Sequence, residues 1–160
     1  MAIKKLVLND FLEEESFSLI GIHCTIKDYR LAYLLNKALN LSLTRQDNDI
    51  DNNNQQTTFS IFEWEDDTQF KTWNLVSNVC KVVKNQIDNN AGSLFSFNQT
   101  KTYHLVPEYS KANYLLKINN ECHTNKEKLI LDKILKIDQV ITAYSIAPES
   151  LKSKDQLIFN

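Results

Sequence analysis

Residues 104–118 read HLVPEYSKANYLLKI and contain one of the two prolines in the 160-residue chain. Proline fixes φ at about −65° and has no N–H, so Pro107 suits the second position of a type I turn, with Val106 extended before it. The apolar runs on either side of PEYSK predict two strands, TYHLV and ANYLLKIN. We therefore expect PEYSK to be a hairpin loop between paired strands.

Two stretches farther out show the apolar repeat of a helix. Thr25 with Asp28, and Thr124 with Glu127, have the spacing of a capping box. The apolar side chains behind them recur at i, i+3 and i+4, and they are Leu31, Leu34, Leu35, Ala38, Ile130, Leu131, Ile134 and Leu135. This spacing predicts two amphipathic helices, each with one buried face.

Short runs rich in aliphatic and aromatic residues predict the remaining strands. These runs are FSLIGIH (17–23), LSLTR (41–45), TFSIFEW (58–64), TWNLVSNV (72–79), QVITAYSI (139–146) and a possible terminal QLIF (156–159). The resulting order is βαβββ–ββαβ. It predicts an α+β fold, with a mainly antiparallel twisted sheet and the two helices on one face.

The chain length suits a single domain over residues 1–160. A content of 42% hydrophobic and 24% charged residues is enough for an ordinary core. Polar stretches rich in Asn and Gln predict mobile loops near 46–57 and 84–100. Near the end of the chain we expect Leu157, Ile158 and Phe159 to pack on the domain rather than fray.

Composition argues against several classes of function. A net charge of −2 disfavours nucleic acid and membrane surfaces as partners, and no apolar run is long enough to span a membrane. The three cysteines are odd in number and widely spaced, which favours reduced thiols and a cytoplasmic protein. Only two glycines are present, so no glycine-rich phosphate loop can form, which excludes P-loop, Rossmann and glycine-loop kinase folds. We expect no cofactor.

The chemical candidates are weak. His23–Cys24 and Cys122–His123 are adjacent pairs, whereas zinc ligands are usually spaced by two to four residues, so no metal site is predicted. Cys24 precedes a helix, which could lower its pKa, with His104 or His123 as a base, but a buried unreactive thiol is the commoner case. The acidic stretch FEWEDD is typical of a solvated turn. We predict no catalytic residues.

Surplus aromatic residues favour an interaction surface. Phe62 and Trp64 share one face of TFSIFEW, and we expect Trp64 to pair with Trp73 across the hairpin. Glu108 and Tyr109 lie at the predicted loop tip. These five residues form the candidate interaction surface. The lysines on the polar side of the second helix are typical of a solvated face, or alternatively of a site for an acidic partner: Lys126, Lys128, Lys133 and Lys136.

The segment from Val106 to Tyr114 resembles the signature of the IPExxxVDY family, small Bacteroidetes proteins without an assigned activity. Further stretches resemble the same family and extend the likeness over most of the chain: LIGIH, DYRLAYLLN, FSIFEWED, WNLVSN and TAYSI. Three positions depart from the signature, with Val106 for Ile, Ala112 for Val and Asn113 for Asp. The last change removes a charge, which argues against an acid–base role there.

Two classes of function remain open. The first is a non-enzymatic interaction, adaptor or regulatory protein that binds a protein partner or forms a homodimer. The alternative is a small-molecule-binding or catalytic domain with a site between the sheet and the helices, which His23, His104 and Tyr144 would line. The absence of a convincing catalytic constellation favours the first.

Overall fold

The computed structural model describes residues 16–52, 56–86, 97–120 and 124–159. These residues form two α-helices, α1 (Asp28–Leu39) and α2 (Thr124–Leu135). Their strands are β1 (Phe17–Cys24), β2 (Thr44–Arg45), β3 (Ile50–Asn52), β4 (Thr57–Phe59), β5 (Ile61–Asp66), β6 (Lys71–Ser77), β7 (Val79–Gln86), β8 (Phe97–His104), β9 (Tyr114–Asn119) and β10 (Val140–Ile146).

Six strands form one antiparallel sheet in the order β10-β1-β9-β6-β5-β2. The remaining described strands pair as two separate ribbons, β3 with β4 and β7 with β8. β1 is central, and its residues are buried on both faces, which explains its nearly unbroken apolar sequence. The α+β class with a mainly antiparallel sheet is confirmed.

Both helices cover one face of the sheet. Leu31, Ala32 and Leu35 of α1 and Ile134 of α2 pack against alternate residues of β1, β9 and β6. We call this cluster the helix-side core; its sheet residues include Ile20, Ile22, Trp73, Leu75, Tyr114, Leu116 and Ile118. Leu135 differs from the predicted stripe because it is 45% exposed.

The opposite face is covered without a helix. Phe17 and Leu19 of β1 and Leu115 of β9 pack there under the β3–β4 ribbon, the segment before β9 and the C-terminal residues. We call this cluster the second core; the residues that cover it include Phe59, Leu105, Val106, Ala112, Leu151 and Leu157. Two cores, one on each face, explain why both faces of TFSIFEW carry large apolar side chains.

The C-terminal segment packs only in part as expected. Leu157 is fully buried and Phe159 packs against the second core, but Ile158 is 59% exposed. The segment is a 3-10 helix (Lys154–Leu157) rather than a strand. It is held by Lys117, whose buried Nζ donates to the Leu157 carbonyl at 2.6 Å and lies 4.8 Å from the Phe159 ring centroid.

The predicted PEYSK hairpin is wrong. β8 pairs with β7, and β9 is instead inserted between β1 and β6. PEYSK therefore crosses from a ribbon into the sheet, and Pro107–Tyr109 forms a 3-10 turn with Val106 extended before it, as expected at a proline. The prediction assumed that strands adjacent in sequence pair with each other. Here β1 and β6 occupy the two edges of β9, which leaves none for β8.

Local details also differ from the sequence predictions. β3 and β4 occupy part of the predicted 46–57 loop, and β7 and β8 extend into the 84–100 range from either end. The first capping box is absent, since Lys27 is the N-cap and Asp28 accepts a bond from the Tyr29 amide. Glu127 accepts a hydrogen bond from Ser145 on β10. Asp28 is therefore bonded to its neighbour in sequence, and Glu127 to a distant strand.

Candidate functional site

The predicted aromatic surface belongs largely to the helix-side core. Trp64 and Trp73 lie directly opposite each other on β5 and β6, as expected. However, Phe62 and Trp73 are buried, and Trp64 is half-buried against the same core. The two helices cover these aromatic side chains, so a partner cannot reach Phe62 or Trp73 without displacing the helices.

Glu108 and Tyr109 lie elsewhere. The Glu108 carboxylate accepts hydrogen bonds from the Ser153 hydroxyl at 2.7 Å and the Ser153 amide at 3.3 Å. The Tyr109 ring packs against Tyr144 of β10, with ring centroids 5.9 Å apart. Both residues therefore anchor parts of their own chain beside the second core, and the five predicted surface residues do not form one patch.

A residue that the sequence reading missed organises the loop between β8 and β9. Asn78 is fully buried between β6 and β7. Its side-chain amide donates to the carbonyls of Tyr109 at 3.0 Å and Ala112 at 2.9 Å, and its Oδ1 accepts from the Val106 amide at 2.7 Å. Its backbone also bonds Leu105 and Asn113. The only feature of the local sequence that points to this role is a single Asn between two apolar strands, in LVSNVC.

Asn113 joins β1 to the same loop. Its Oδ1 accepts from the Cys24 amide at 3.1 Å and lies 2.7 Å from His23 Nδ1. Burial raises the pKa of the Cys24 thiol, which favours the unreactive protonated form. This environment supports the reading of Cys24 as a buried, inert thiol.

A cavity of about 360 Å³ opens beside this junction. Its lining includes Cys24, Ile26, Ser77, Lys81, Asn113 and Tyr114. The Tyr114 hydroxyl donates to the Ile26 carbonyl at 2.7 Å, and burial raises its pKa, so it stays protonated. The Ser77 hydroxyl likewise donates to the Val79 carbonyl at 3.0 Å. These hydroxyl groups serve the fold rather than converge on a ligand.

The residues of the alternative site do not meet between the sheet and the helices. Tyr144 lies opposite Gly21 on β1, and His23 shares the Gly21 face, which is turned away from the helices. His104 ends β8, opposite Val79 in the ribbon. The space under the helices is instead filled by the helix-side core.

Two acidic side chains of the FEWEDD stretch, Glu63 and Asp66, have structural partners. Glu63 accepts a hydrogen bond from the Asn74 amide at 2.9 Å. Asp66 accepts from the Thr68 hydroxyl at 2.6 Å, and this bond lowers the pKa of the Asp66 carboxyl. Within the described residues no group of three His, Cys, Asp or Glu side chains could hold a metal ion. Cys122 and His123 lie outside those residues.

The β7–β8 ribbon packs on the domain at one end. At its root, Cys80 and Tyr103 pack against the second core. Beyond the root, Lys81 and the 59% exposed Val83 point to one side, and Lys84 lies on the other. Eight residue pairs give the ribbon a length of about 25 Å. Such a ribbon is marginally stable in water on its own.

The ribbon also has a single sign of charge. Its two strands contain Lys81, Lys84 and Lys101 and no acidic residue, although the whole chain carries a net charge of −2. All three lysines are exposed. The Lys101 ammonium lies 5.1 Å from the centroid of the Tyr103 ring. The ribbon therefore presents a positive, solvent-exposed surface on a weakly acidic protein.

No helix within the described residues is long and apolar enough to cross a membrane. In comparisons with known proteins, no family model, no curated protein and no solved structure matches the chain. The geometry of the chain is therefore what bears on its function.

Proposed function

We propose that the protein is a non-enzymatic interaction domain, an adaptor or regulatory subunit, which binds an acidic protein partner through the β7–β8 ribbon. One observation carries this proposal: the ribbon exposes Lys81 and Val83 on one side and Lys84 and Lys101 on the other. A partner packed on the ribbon would bury Val83 and place carboxylates near Lys81, Lys84 and Lys101. It would also stabilise a two-stranded element that is only marginally stable on its own.

The chemistry of the ribbon favours a protein over a nucleic acid. Nucleic-acid binding depends on many phosphate contacts and usually on a basic domain, whereas this chain has 18 basic and 20 acidic residues. The ribbon offers only three lysines, interleaved with Val and Thr side chains that suit an apolar contact. A protein surface with a few carboxylates around an apolar centre matches that pattern.

The proposal includes no enzymatic role because of the groups that line the 360 Å³ cavity described above. Its Cys24 thiol is held protonated by burial, and the Tyr114 and Ser77 hydroxyl groups are bonded to backbone carbonyls. A catalytic cleft needs polar groups that are free to meet a substrate and matched in pKa to the reaction. This arrangement supports a structural junction at the root of the ribbon.

Affinity capture from the native source tests the proposal. The bait is the full-length chain, and the test variant is Lys81→Glu/Lys84→Glu/Lys101→Glu. A matched control, Lys126→Glu/Lys128→Glu/Lys133→Glu, reverses three exposed lysines on α2. We expect a stoichiometric acidic protein with the wild type and the control, loss of that protein with the ribbon variant, and weaker capture as salt rises.

Two results would contradict this function. One is a wild-type protein that captures no stoichiometric partner under low-salt conditions. The other is a partner that the ribbon variant captures as well as the control does. Thermal melts of all three proteins verify that they remain folded.

We also propose a cytoplasmic location and membership of the IPExxxVDY family. The thiol of Cys24 is free and buried, which suits a reducing compartment, and cell fractionation tests that location. For the family, the structure of a member with Asp at the position of Asn113 should show the same loop, with the Asp carboxylate accepting from the residues equivalent to His23 and Cys24. A different path of that loop would argue against membership.

A further inference from the structure

The two edges of the six-stranded sheet differ in length and chemistry. At one edge, β2 has only two residues, and its Arg45 forms an ion pair with Asp49. At the other edge, β10 has seven residues and, among the described parts of the chain, pairs only with β1. A short edge strand with a charge resists further pairing, whereas a long one invites it.

Beyond one register shift near its start, β10 lacks the usual protection against pairing. Its sequence, VITAYSI, contains no charged residue and no proline. A register shift sets Ile141 out of line near the start of the strand, but Thr142–Ile146 pair with β1 without interruption. Ile141 is 61% exposed, and Thr142 and Ser145 are also exposed. The outer side of β10 is therefore a regular, neutral and partly apolar edge.

We propose that β10 pairs with β10 of a second copy of this chain, in antiparallel orientation about a two-fold axis, to form one continuous sheet. This interface uses a surface distinct from the ribbon and does not depend on the function proposed above. A two-fold contact places the same strand against itself, so any charge on it would face or approach its own kind. β10 carries no charge, so no antiparallel register brings like charges of the strand together.

The symmetry has a geometric consequence. For side chains of the two copies to match across the antiparallel pair, the axis must run perpendicular to the sheet, which leaves the helices of both subunits on the same face. α2 packs over β10 through contacts such as Glu127 with Ser145. The two α2 helices would therefore lie on the same face of the continuous sheet, one on each side of the axis.

Sedimentation equilibrium over a range of concentrations tests the proposal. We expect the full-length wild type to be a dimer and Thr142→Lys to raise its dissociation constant at least tenfold, since each subunit would bring an ammonium group into the paired strands. Thr44→Lys is the matched control because it places the same side chain on the β2 edge, and it should leave the dimer unchanged. A lysine-reactive cross-linker should join α2 helices of isotopically distinct copies.

Hydrogen exchange provides a second readout on the wild type that needs no variant. Outward amides of β10 should be protected at concentrations where the dimer forms and should lose protection on dilution. A monomeric wild type at high concentration overturns the proposal, whether its β10 amides are exposed or are covered by another part of the same chain. A dimer that Thr142→Lys leaves intact, with no cross-link between α2 helices, also overturns it.

Discussion

Replacing Asn78 tests the junction between the sheet, the ribbon and the Pro107 turn. In Asn78→Ala, the Val106 amide and the carbonyls of Tyr109 and Ala112 each lose a hydrogen-bond partner. A buried backbone group without a partner costs about 1–3 kcal/mol. The Tyr109 carbonyl is only partly buried, so water can replace some of that bond. The three losses are also coupled within one loop, so they do not simply add.

We therefore expect Asn78→Ala to lower the free energy of unfolding by about 3–5 kcal/mol. In a chain of this length, that corresponds to a fall in Tm of about 6–20 °C. Asn78→Asp keeps the acceptor for the Val106 amide but turns a carboxylate toward two carbonyl oxygens. Its destabilisation at neutral pH should equal or exceed that of the alanine variant.

Urea unfolding followed by circular dichroism measures both changes, with Asn98→Ala as the control because Asn98 is exposed on β8. Hydrogen exchange at the Val106 amide adds a local readout, since its acceptor is the Asn78 side chain. If Asn78→Ala unfolds within about 0.5 kcal/mol of Asn98→Ala and the Val106 amide stays protected, the assignment of Asn78 as the organiser of the loop is refuted.

Three further predictions concern stability. Gly21→Ala should lower the free energy of unfolding by about 1–3 kcal/mol, because the new Cβ would lie 2.9 Å from the Tyr144 ring. Tyr144→Leu should relieve part of this loss, so a double variant whose destabilisation equals the sum of the two single ones would contradict the clash. Leu157→Ala should lower the free energy of unfolding by about 2–5 kcal/mol, whereas Ile158→Ala, at a 59% exposed position, should stay within about 0.5 kcal/mol of the wild type. Equal melting temperatures of the two variants would show that the C-terminal segment is not docked. The pKa of Asp66 is lowered in the folded state, so its contribution to the free energy of unfolding is present above its ordinary pKa of 3.8 and is lost as pH falls through the folded value. Asp66→Asn should therefore flatten the acid side of the plot of unfolding free energy against pH, and urea titrations that give the wild-type plot for this variant would contradict the prediction.

Local pattern was sufficient for the elements whose partners are close in sequence. The stripe through Leu31 and Leu35 predicted α1 because one face of a helix is defined within two turns. The pairing of Trp64 with Trp73 was predictable because a short turn joins the two strands and favours a hairpin between them. The class of the fold follows from such elements, since two helices and many strands must share one core.

The order of the strands was decided only by the tertiary structure. The turn at Pro107 was readable, but whether it closes a hairpin depends on competition between β8 and β1 for the edges of β9. β9 is buried on both faces, so its place between β1 and β6 is favoured over pairing with the exposed β8. No local pattern in PEYSK records that competition.

The same limit explains the candidate site. Phe62, Trp64 and Trp73 read as surplus aromatics because the sequence does not show that α1 and α2 cover that face. Asn78 is one polar residue between two strands, and its importance arises only where three distant backbone groups converge on it. The sequence by itself determined the class of the fold and most of its helices and strands. Which faces, edges and strands remain open to a partner was decided by long-range packing, because burial is a property of the assembled domain.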